Sequence, residues 1–270
     1  MSLRMSVSTF LFLCSIININ KGSGNMHYLN KTATITNYLV ENTTTKLRPA
    51  ILVLPGGSYL YTSPREAKPV ATAYNAAGLH AFVLDYTTFP KNKKVTVDEL
   101  IEEVKMAHAY LIKNQKEFQI DPNNIFVVGF SAGGHLAAAV ANKHPNLFKK
   151  VVLSYAALNI KIEDGMFEET EELAFVRRMF QDNLILGVTK NNPPTFIWHT
   201  LEDNVVPIVG SIEYIHKLNE LKVPFEAHFY EKGEHGISIG NKIVAYEDQN
   251  SGFNLHASSW VGLSISWLLK

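Results

Sequence analysis

A serine stands at the centre of the pentapeptide Gly-Phe-Ser-Ala-Gly at residues 129–133. This G-x-S-x-G pattern is typical of a sharp strand-to-helix turn that strains the serine and exposes its hydroxyl. The flanking sequence fits, because a buried strand is predicted directly before the motif and a helix of small residues directly after it. We therefore predict that Ser131 is a nucleophile. The alternative is a plain tight turn in which Ser131 caps the helix.

A serine hydroxyl is a weak nucleophile and needs a general base, most often histidine. The chain has ten histidines, and His235 differs from the other six that follow Ser131 because glycines flank it in a loop directly after a predicted strand. Open parallel sheets hold their sites in loops at the carboxyl ends of strands. His235 is therefore the predicted base, and an exposed loop histidine without a role is the alternative.

The acid that orients the histidine should lie between Ser131 and His235 in the chain. The loop after the predicted strand that ends at Trp198 offers two carboxylates, Glu202 and Asp203. Either one could orient an imidazole and stabilise the imidazolium that forms during the reaction. Their positions alone leave both open.

The reaction also needs backbone N–H groups that stabilise a developing oxyanion. The residue after the nucleophile, Ala132, is one predicted donor. Gly57 and Ser58 are the others, in the segment Pro-Gly-Gly-Ser-Tyr at residues 55–59, where glycine permits close approach to a substrate. A simple Pro-Gly-Gly turn is the alternative. Tyr59, at the end of this segment, is predicted to line an acyl or sugar pocket.

Strands alternate with helices along most of the chain, which predicts a mostly parallel central sheet with helices on both faces. At residues 63–66, Ser-Pro-Arg-Glu reads as a helix start with a capping box, and Pro69 is predicted to kink that helix. The predicted strands are 33–40, 50–54, 81–84, 125–128, 151–153, 195–198 and 225–230, and further helices are predicted at 97–114, 133–141, 211–221 and near the carboxyl terminus.

Two segments depart from this alternation. Residues 157–192 form an acidic excursion that reads as a small cap over a pocket, with a packed surface segment as the alternative. Residues 1–32 form an N-terminal extension, and residues 33–270 are assigned to the main domain. An apolar run at 7–17 reads either as an edge strand or as part of a signal peptide. The protein is expected in the cytoplasm, or secreted if residues 1–24 act as a signal peptide.

The composition excludes several classes of function. The 270 residues carry 25 basic and 25 acidic side chains, so the net charge is zero, and no basic stripe points to nucleic acid. The apolar run is too short to span a membrane. The one cysteine, Cys14, excludes a cysteine-rich zinc site, and the histidines are too scattered for a metal-dependent hydrolase. No metal and no cofactor is expected.

These motifs resemble those of one family. They are Pro-Gly-Gly-Ser-Tyr at 55–59, Ser-x-Arg-Glu at 63–66, Gly-Phe-Ser-Ala-Gly-Gly-His at 129–135, the Pro-Pro-Thr-Phe block with its Asp-x-x-Val-Pro ending at 193–207, and Gly-x-His-Gly at 233–236. The chain resembles the acetyl-xylan-esterase-like branch of the α/β-hydrolases, which is related to hormone-sensitive-lipase-type and feruloyl esterases. The resemblance covers residues 33–270.

The resemblance implies an α/β-hydrolase fold and a serine carboxylic-ester hydrolase that removes short acyl groups, often acetyl, from small molecules or xylan-type saccharides through an acyl-enzyme. It favours Asp203 over Glu202, because the acid precedes a Val-Pro pair by this spacing. Many such esterases carry His-Gly-Gly-Gly, whereas here proline replaces the histidine and Ser58 the third glycine. The alternatives are a serine peptidase of the same fold and a non-catalytic binding module on a hydrolase scaffold.

Overall fold

The computed structural model describes residues 24–41, 45–162, 169–245 and 252–270. Eight strands lie in these ranges: β1 (Asn25–Tyr28), β2 (Thr34–Tyr38), β3 (Arg48–Leu54), β4 (His80–Asp85), β5 (Ile120–Phe130), β6 (Lys150–Ser154), β7 (Thr195–Thr200) and β8 (Phe225–Tyr230). The same ranges hold seven α-helices: α1 (Lys68–Ala76), α2 (Val97–Lys113), α3 (Gln115–Phe118), α4 (Ala132–Lys143), α5 (Glu171–Met179), α6 (Val209–Glu220) and α7 (Trp260–Leu268).

The strands form one sheet in the order β1-β2-β4-β3-β5-β6-β7-β8. The pairs β1–β2 and β2–β4 are antiparallel, and every pair from β4 to β8 is parallel. All parallel strands therefore end at the same edge of the sheet. The loops after β3, β5, β7 and β8 meet at this edge, which is where open α/β sheets hold their sites.

The core lies on both faces of the sheet because the central strands contain continuous buried apolar runs, such as residues 50–54 of β3. In β3, Leu52 and Leu54 pack with α2 and α4, while Ile51 and Val53 pack with α1 and α7. Successive side chains of a strand point to opposite faces, so a continuous apolar run buries both. The predicted mostly parallel sheet with helices on both faces, in the α/β-hydrolase arrangement, is confirmed.

The helix predicted from Ser63 is wrong in its details. Residues Pro64–Glu66 form a short 3-10 helix, Ser63 makes no side-chain cap, and Glu66 is buried under the loop after β3. A separate helix, α1, begins after it, and Pro69 lies in its first turn. Proline fits a first turn, where its missing N–H has no intrahelical acceptor to lose, so it produces no kink.

The N-terminal extension and the excursion are described only in part. β1 lies within the predicted extension and pairs with β2, whereas the edge strand considered for the extension was placed at 7–17. The apolar run at 7–17, Cys14 and residues 163–168 lie outside the described residues. The described part of the excursion contains α5, whose Phe175 and Met179 are buried in the core. Across the described ranges, no helix is both long and apolar enough to cross a bilayer.

Candidate active site

Ser131 lies at the sharp turn between β5 and α4, with φ 50° and ψ −114°. The turn requires glycine at positions 129 and 133, because the surrounding backbone leaves no room for a side chain at either one. A Cβ on Gly129 would lie 2.2 Å from the carbonyl oxygen of Gly133, and one on Gly133 would lie 2.1 Å from that of Leu54. The helix therefore packs directly on the sheet, and the turn holds the serine in a strained backbone conformation.

The structure brings Ser131, His235 and Asp203 into one hydrogen-bonded chain. The Oγ of Ser131 lies 2.9 Å from Nε2 of His235, and Nδ1 of His235 lies 2.7 Å from Oδ2 of Asp203. These residues follow β5, β8 and β7, so the parallel sheet itself brings their loops together. Base and nucleophile are within proton-transfer distance in this geometry.

Asp203 is held by hydrogen bonds on both oxygens. The backbone N–H groups of Val205 and Val206 donate to Oδ1 at 3.0 and 2.8 Å, while His199 and His235 contact Oδ2. Burial by itself raises the pKa of this carboxyl, but the hydrogen bonds from the two histidines and the charge interaction with His235 outweigh it. The pKa of Asp203 is therefore well below its usual value, and the group is a carboxylate at neutral pH.

Glu202, the other candidate acid, bonds to partners other than His235. Its carboxylate accepts a hydrogen bond from Lys232 Nζ at 2.7 Å and one from the Gly233 N–H at 3.2 Å. These contacts lower its pKa, as expected for an exposed ion pair. The structure thus brings Asp203, and not Glu202, to the histidine.

The segment after β3 approaches the nucleophile closely. A Cβ on Gly56 would lie 3.0 Å from the Cβ of Ser131. The three residues that follow, Gly57, Ser58 and Tyr59, all have positive φ, at 120°, 55° and 63°. Such a backbone is strained for Ser58 and Tyr59, and residues in this state cluster at ligand sites.

The predicted oxyanion donors are free to bind a ligand. Within the described part of the chain, the N–H groups of Gly57, Ser58 and Ala132 donate to no protein acceptor. Ala132 is the first residue of α4, so its N–H also lies at the positive end of a helix. We define the oxyanion loop as residues 55–59.

Tyr59 differs from the expectation. Its ring is completely buried, and its hydroxyl is 2.8 Å from Nδ1 of His135 in α4. The ring also packs against Phe180, which lies in the excursion, with 5.3 Å between centroids. Burial lowers the pKa of His135 to about 3, so this histidine is neutral at pH 7. The Tyr59 side chain therefore supports the oxyanion loop from behind and is not an open pocket wall.

This arrangement suits acyl transfer. A strained serine, a histidine hydrogen-bonded to it, a carboxylate behind the histidine and free N–H donors beside it are the parts of a serine hydrolase site. The prolyl oligopeptidase family matches residues 87–257, a stretch that contains Ser131, Asp203 and His235. The chain belongs to this family of α/β-hydrolases. The predicted α/β-hydrolase membership is confirmed.

Similar proteins are named as sugar- and xylan-acting hydrolases. A sugar hydrolase from Lactococcus lactis has a solved structure similar to this α/β-hydrolase, with a TM-score of 0.79, 34% identity, and coverage of 91% of this chain and 97% of that one. The endo-1,4-beta-xylanase B of Butyrivibrio fibrisolvens is 29% identical over 72% of this chain and 33% of its own length. The acetylxylan esterase of Xylanibacter ruminicola is 24% identical over 74% of this chain and 43% of its own length.

The chain therefore spans less than half the length of these two curated relatives. The predicted resemblance to acetylxylan esterases is confirmed, and the esterases among the relatives support the predicted enzyme class. The activities named for these two relatives are those of longer proteins.

Two polar residues around the site of this α/β-hydrolase escaped sequence analysis. His199 was read only as the end of a strand, yet its ring contacts Asp203. Glu66 was read as a capping residue, yet its carboxylate binds the N–H of Gly56 in the oxyanion loop. For His199 a signal existed, because it stands four residues before Asp203 in the Pro-Pro-Thr-Phe block. For Glu66 the partners are distant in sequence, and no local pattern shows them.

A cavity of about 770 Å³ lies away from this site. It is lined by residues such as His80, the first residue of β4, and Gln119, which precedes β5. These positions are at the amino ends of the parallel strands, whereas Ser131 follows the carboxyl end of β5. The cavity is therefore not part of the Ser131 site.

Proposed function

We propose that this α/β-hydrolase is a serine esterase that removes short acyl groups, acetyl above all, from saccharides or other small alcohols. The hydrogen-bonded chain from Ser131 through His235 to Asp203 carries the proposal, at 2.9 and 2.7 Å. The likeness to a sugar hydrolase and to an acetylxylan esterase supports the ester and saccharide parts of it.

The reaction would begin as Ser131 Oγ attacks the ester carbonyl carbon while Nε2 of His235 takes the hydroxyl proton. Asp203 holds the imidazole in the correct tautomer and stabilises the imidazolium. The N–H groups of Gly57, Ser58 and Ala132 would stabilise the oxyanion. His235 returns the proton to the leaving alcohol, which leaves an acyl group on Ser131. His235 then activates water, and hydrolysis of this ester frees the serine.

The enclosure of the nucleophile favours a small acyl group. Only 8% of the Ser131 surface is exposed, and 17% of the His235 side chain. A long acyl chain would need an apolar channel, whereas an acetyl group needs little space beyond the oxyanion donors.

The test compares wild type with Ser131→Ala on p-nitrophenyl acetate, butyrate and octanoate and on an acetylated xylo-oligosaccharide. Serine-dependent turnover that favours acetyl on both the aryl ester and the sugar supports the full proposal. Preference for longer chains retains the esterase and overturns the short-acyl part. Turnover of aryl acetate with none on the sugar overturns the saccharide part.

A serine peptidase is the second candidate, and the match to the prolyl oligopeptidase family favours it. The same triad cleaves amides, so the site geometry is common to both. Aminoacyl p-nitroanilides, including prolyl ones, decide between them. Ser131-dependent cleavage of an anilide at a higher kcat/KM than any ester would replace the esterase with a peptidase. No serine-dependent turnover of any substrate would favour a binding role.

A further inference from the structure

Glu66 is a buried carboxylate that no step of the proposed reaction uses. Only 4% of its surface is exposed. The backbone N–H of Gly56 donates to its Oε2 at 2.7 Å, and the hydroxyl of Tyr155 donates to its Oε1 at 2.5 Å. Burial of a carboxylate costs free energy unless hydrogen bonds compensate for it, so the position of Glu66 beside the site calls for a physical reason.

The hydrogen bonds continue beyond Tyr155 into the loop of His235. The backbone N–H of Ser238, three residues after His235, donates to the Tyr155 hydroxyl at 3.0 Å. The Tyr155 oxygen accepts this hydrogen bond, and the Tyr155 O–H donates one to Glu66. One continuous chain therefore runs from Ser238 through Tyr155 and Glu66 to Gly56. It joins the histidine loop to the oxyanion loop behind the reacting groups.

Ser238 is held by further hydrogen bonds. The Ser238 hydroxyl donates to the backbone oxygen of Arg65 at 2.7 Å, and the indole N–H of Trp260 donates to the backbone oxygen of Ser238 at 2.9 Å. Ser238 has φ of 54°, a strained value for a serine. All its polar groups are thus bonded, and these bonds hold a backbone conformation that an L residue rarely adopts. The Tyr155 ring also packs edge-on against His235, with 5.2 Å between centroids.

Both oxygens of Glu66 are engaged in hydrogen bonds, with the N–H of Gly56 and with the phenol of Tyr155, whose oxygen also accepts from the Ser238 N–H. Burial raises the pKa of Glu66 above its usual value, and the bonds from Tyr155 and Gly56 and the interaction with His235 offset this rise only in part. An imidazolium at His235 would therefore interact favourably with this carboxylate.

We propose that Glu66 is a positioning residue, which fixes the oxyanion loop relative to His235 through Tyr155. This inference rests on the proposed hydrolase reaction. Gly56 lies between the carboxylate and Ser131, because a Cβ at Gly56 would meet Glu66 Oε2 at 2.8 Å and Ser131 Cβ at 3.0 Å. A shift of Gly56 would move the neighbouring N–H of Gly57, and a displacement of about 1 Å costs roughly a hundredfold in rate.

The experiment uses Glu66→Gln, Tyr155→Phe and the double variant, with Glu103→Gln as the matched control. Glu103 is equally buried and accepts hydrogen bonds from Thr87 and Asn30, away from the site. With p-nitrophenyl acetate, we expect each single variant to lower kcat by about 10- to 100-fold and leave KM within about twofold, since binding of the substrate itself is unchanged. The control should keep its kcat within about twofold.

The double variant shows whether Glu66 and Tyr155 act on kcat through one hydrogen-bonded chain or independently. If both residues act through one chain, the double variant should lose about as much kcat as the worse single variant. Losses that multiply, or single variants that keep wild-type kcat, would overturn the proposal. Should Glu66→Gln fail to fold, Tyr155→Phe alone still tests it, because its ring and packing are retained.

A second readout does not depend on turnover. Tyr155→Phe does not touch Gly56 directly, so faster amide hydrogen exchange at Gly56 in this variant would show that the chain transmits position. Unchanged exchange at Gly56 would contradict it. Wild-type protein without Ser131-dependent ester hydrolysis would overturn the proposed function instead, and the exchange result would still decide whether Glu66 and Tyr155 act as one structural unit.

Discussion

His199 contacts Oδ2 of Asp203 through its Nε2 at 3.1 Å, the same oxygen that His235 contacts at 2.7 Å. Nε2 of His199 also lies 2.8 Å from the backbone oxygen of Val206, while its Nδ1 lies 2.8 Å from the Ser211 hydroxyl. A carbonyl oxygen can only accept, so Nε2 carries a proton. His199 thus donates to the carboxylate of Asp203 and helps to fix it.

The first prediction concerns this second histidine. His199→Phe keeps a ring of similar size in β7 and removes the donor to Asp203. We expect kcat to fall by about 10- to 100-fold with KM nearly unchanged, because the carboxylate loses one of the groups that orient it. Steady-state kinetics on p-nitrophenyl acetate measure this effect.

His228→Phe is the control for His199→Phe. His228 lies in the neighbouring strand β8 and contacts the carboxylate of Glu226 at 3.0 Å, outside the site. It should retain wild-type kcat. A loss of the same size in both variants would mean that removal of a strand histidine, and not the contact with Asp203, causes the effect.

The second prediction separates the two adjacent acids. Asp203→Asn should lower kcat by about 10⁴-fold, since an amide favours the wrong tautomer of the catalytic histidine. Glu202→Gln weakens exposed contacts with Lys232 and Gly233, which contribute little because water screens them, and should leave kcat within about threefold. Equal losses, or a larger loss in Glu202→Gln, would reject Asp203 as the acid.

The sequence predicted those parts of the site that local chemistry determines. Ser131 stands in a pentapeptide with a glycine at each end, where an added Cβ would lie only 2.1–2.2 Å from a backbone oxygen, so the tight turn requires the motif. His235 follows β8, and a loop at the carboxyl end of a parallel strand is where such a residue must lie. Position in the chain did not separate Glu202 from Asp203 as the acid. The resemblance favoured Asp203, which contacts His235.

Errors arose where distant partners compete with a local pattern. Glu66 stands where a capping box would place it, but Tyr155, 89 residues away, and Gly56 bind its carboxylate instead. Tyr59 follows the oxyanion glycines, but His135 and Phe180 enclose its ring. Tertiary contacts of this kind have no periodicity in the sequence, so neither burial nor the hydrogen-bond partner could be predicted.

The third prediction is the pH dependence of stability. The pKa of Asp203 is lower in the folded protein than its ordinary value of 3.8. The carboxylate therefore stabilises the folded protein fully at pH values above the pKa that Asp203 has in the unfolded chain. This stabilisation is lost as the pH falls below that pKa. We expect the free energy of unfolding of wild type to exceed that of Asp203→Asn at pH 6, and the difference to shrink between pH 5 and pH 3.

Urea unfolding at a series of pH values measures this difference. Glu202→Gln is the control, because the exposed Glu202 should show a much smaller change with pH. A difference between wild type and Asp203→Asn that stayed constant or grew towards pH 3 would contradict the depressed pKa of Asp203.

The fourth prediction concerns close packing at the elbow. Gly133→Ala would place a Cβ 2.1 Å from the backbone oxygen of Leu54, and backbone in a central strand cannot move aside cheaply. We expect a loss of about 1–3 kcal/mol in the free energy of unfolding, together with a lower kcat because the turn that holds Ser131 must shift.

Gly262→Ala is the matched control, since a Cβ there meets nothing within 4 Å in helix α7. It should leave kcat unchanged and raise stability by up to about 1 kcal/mol, the ordinary preference of a helix for alanine. If Gly133→Ala were as stable and active as wild type, close packing of α4 on β3 would not be what positions the nucleophile.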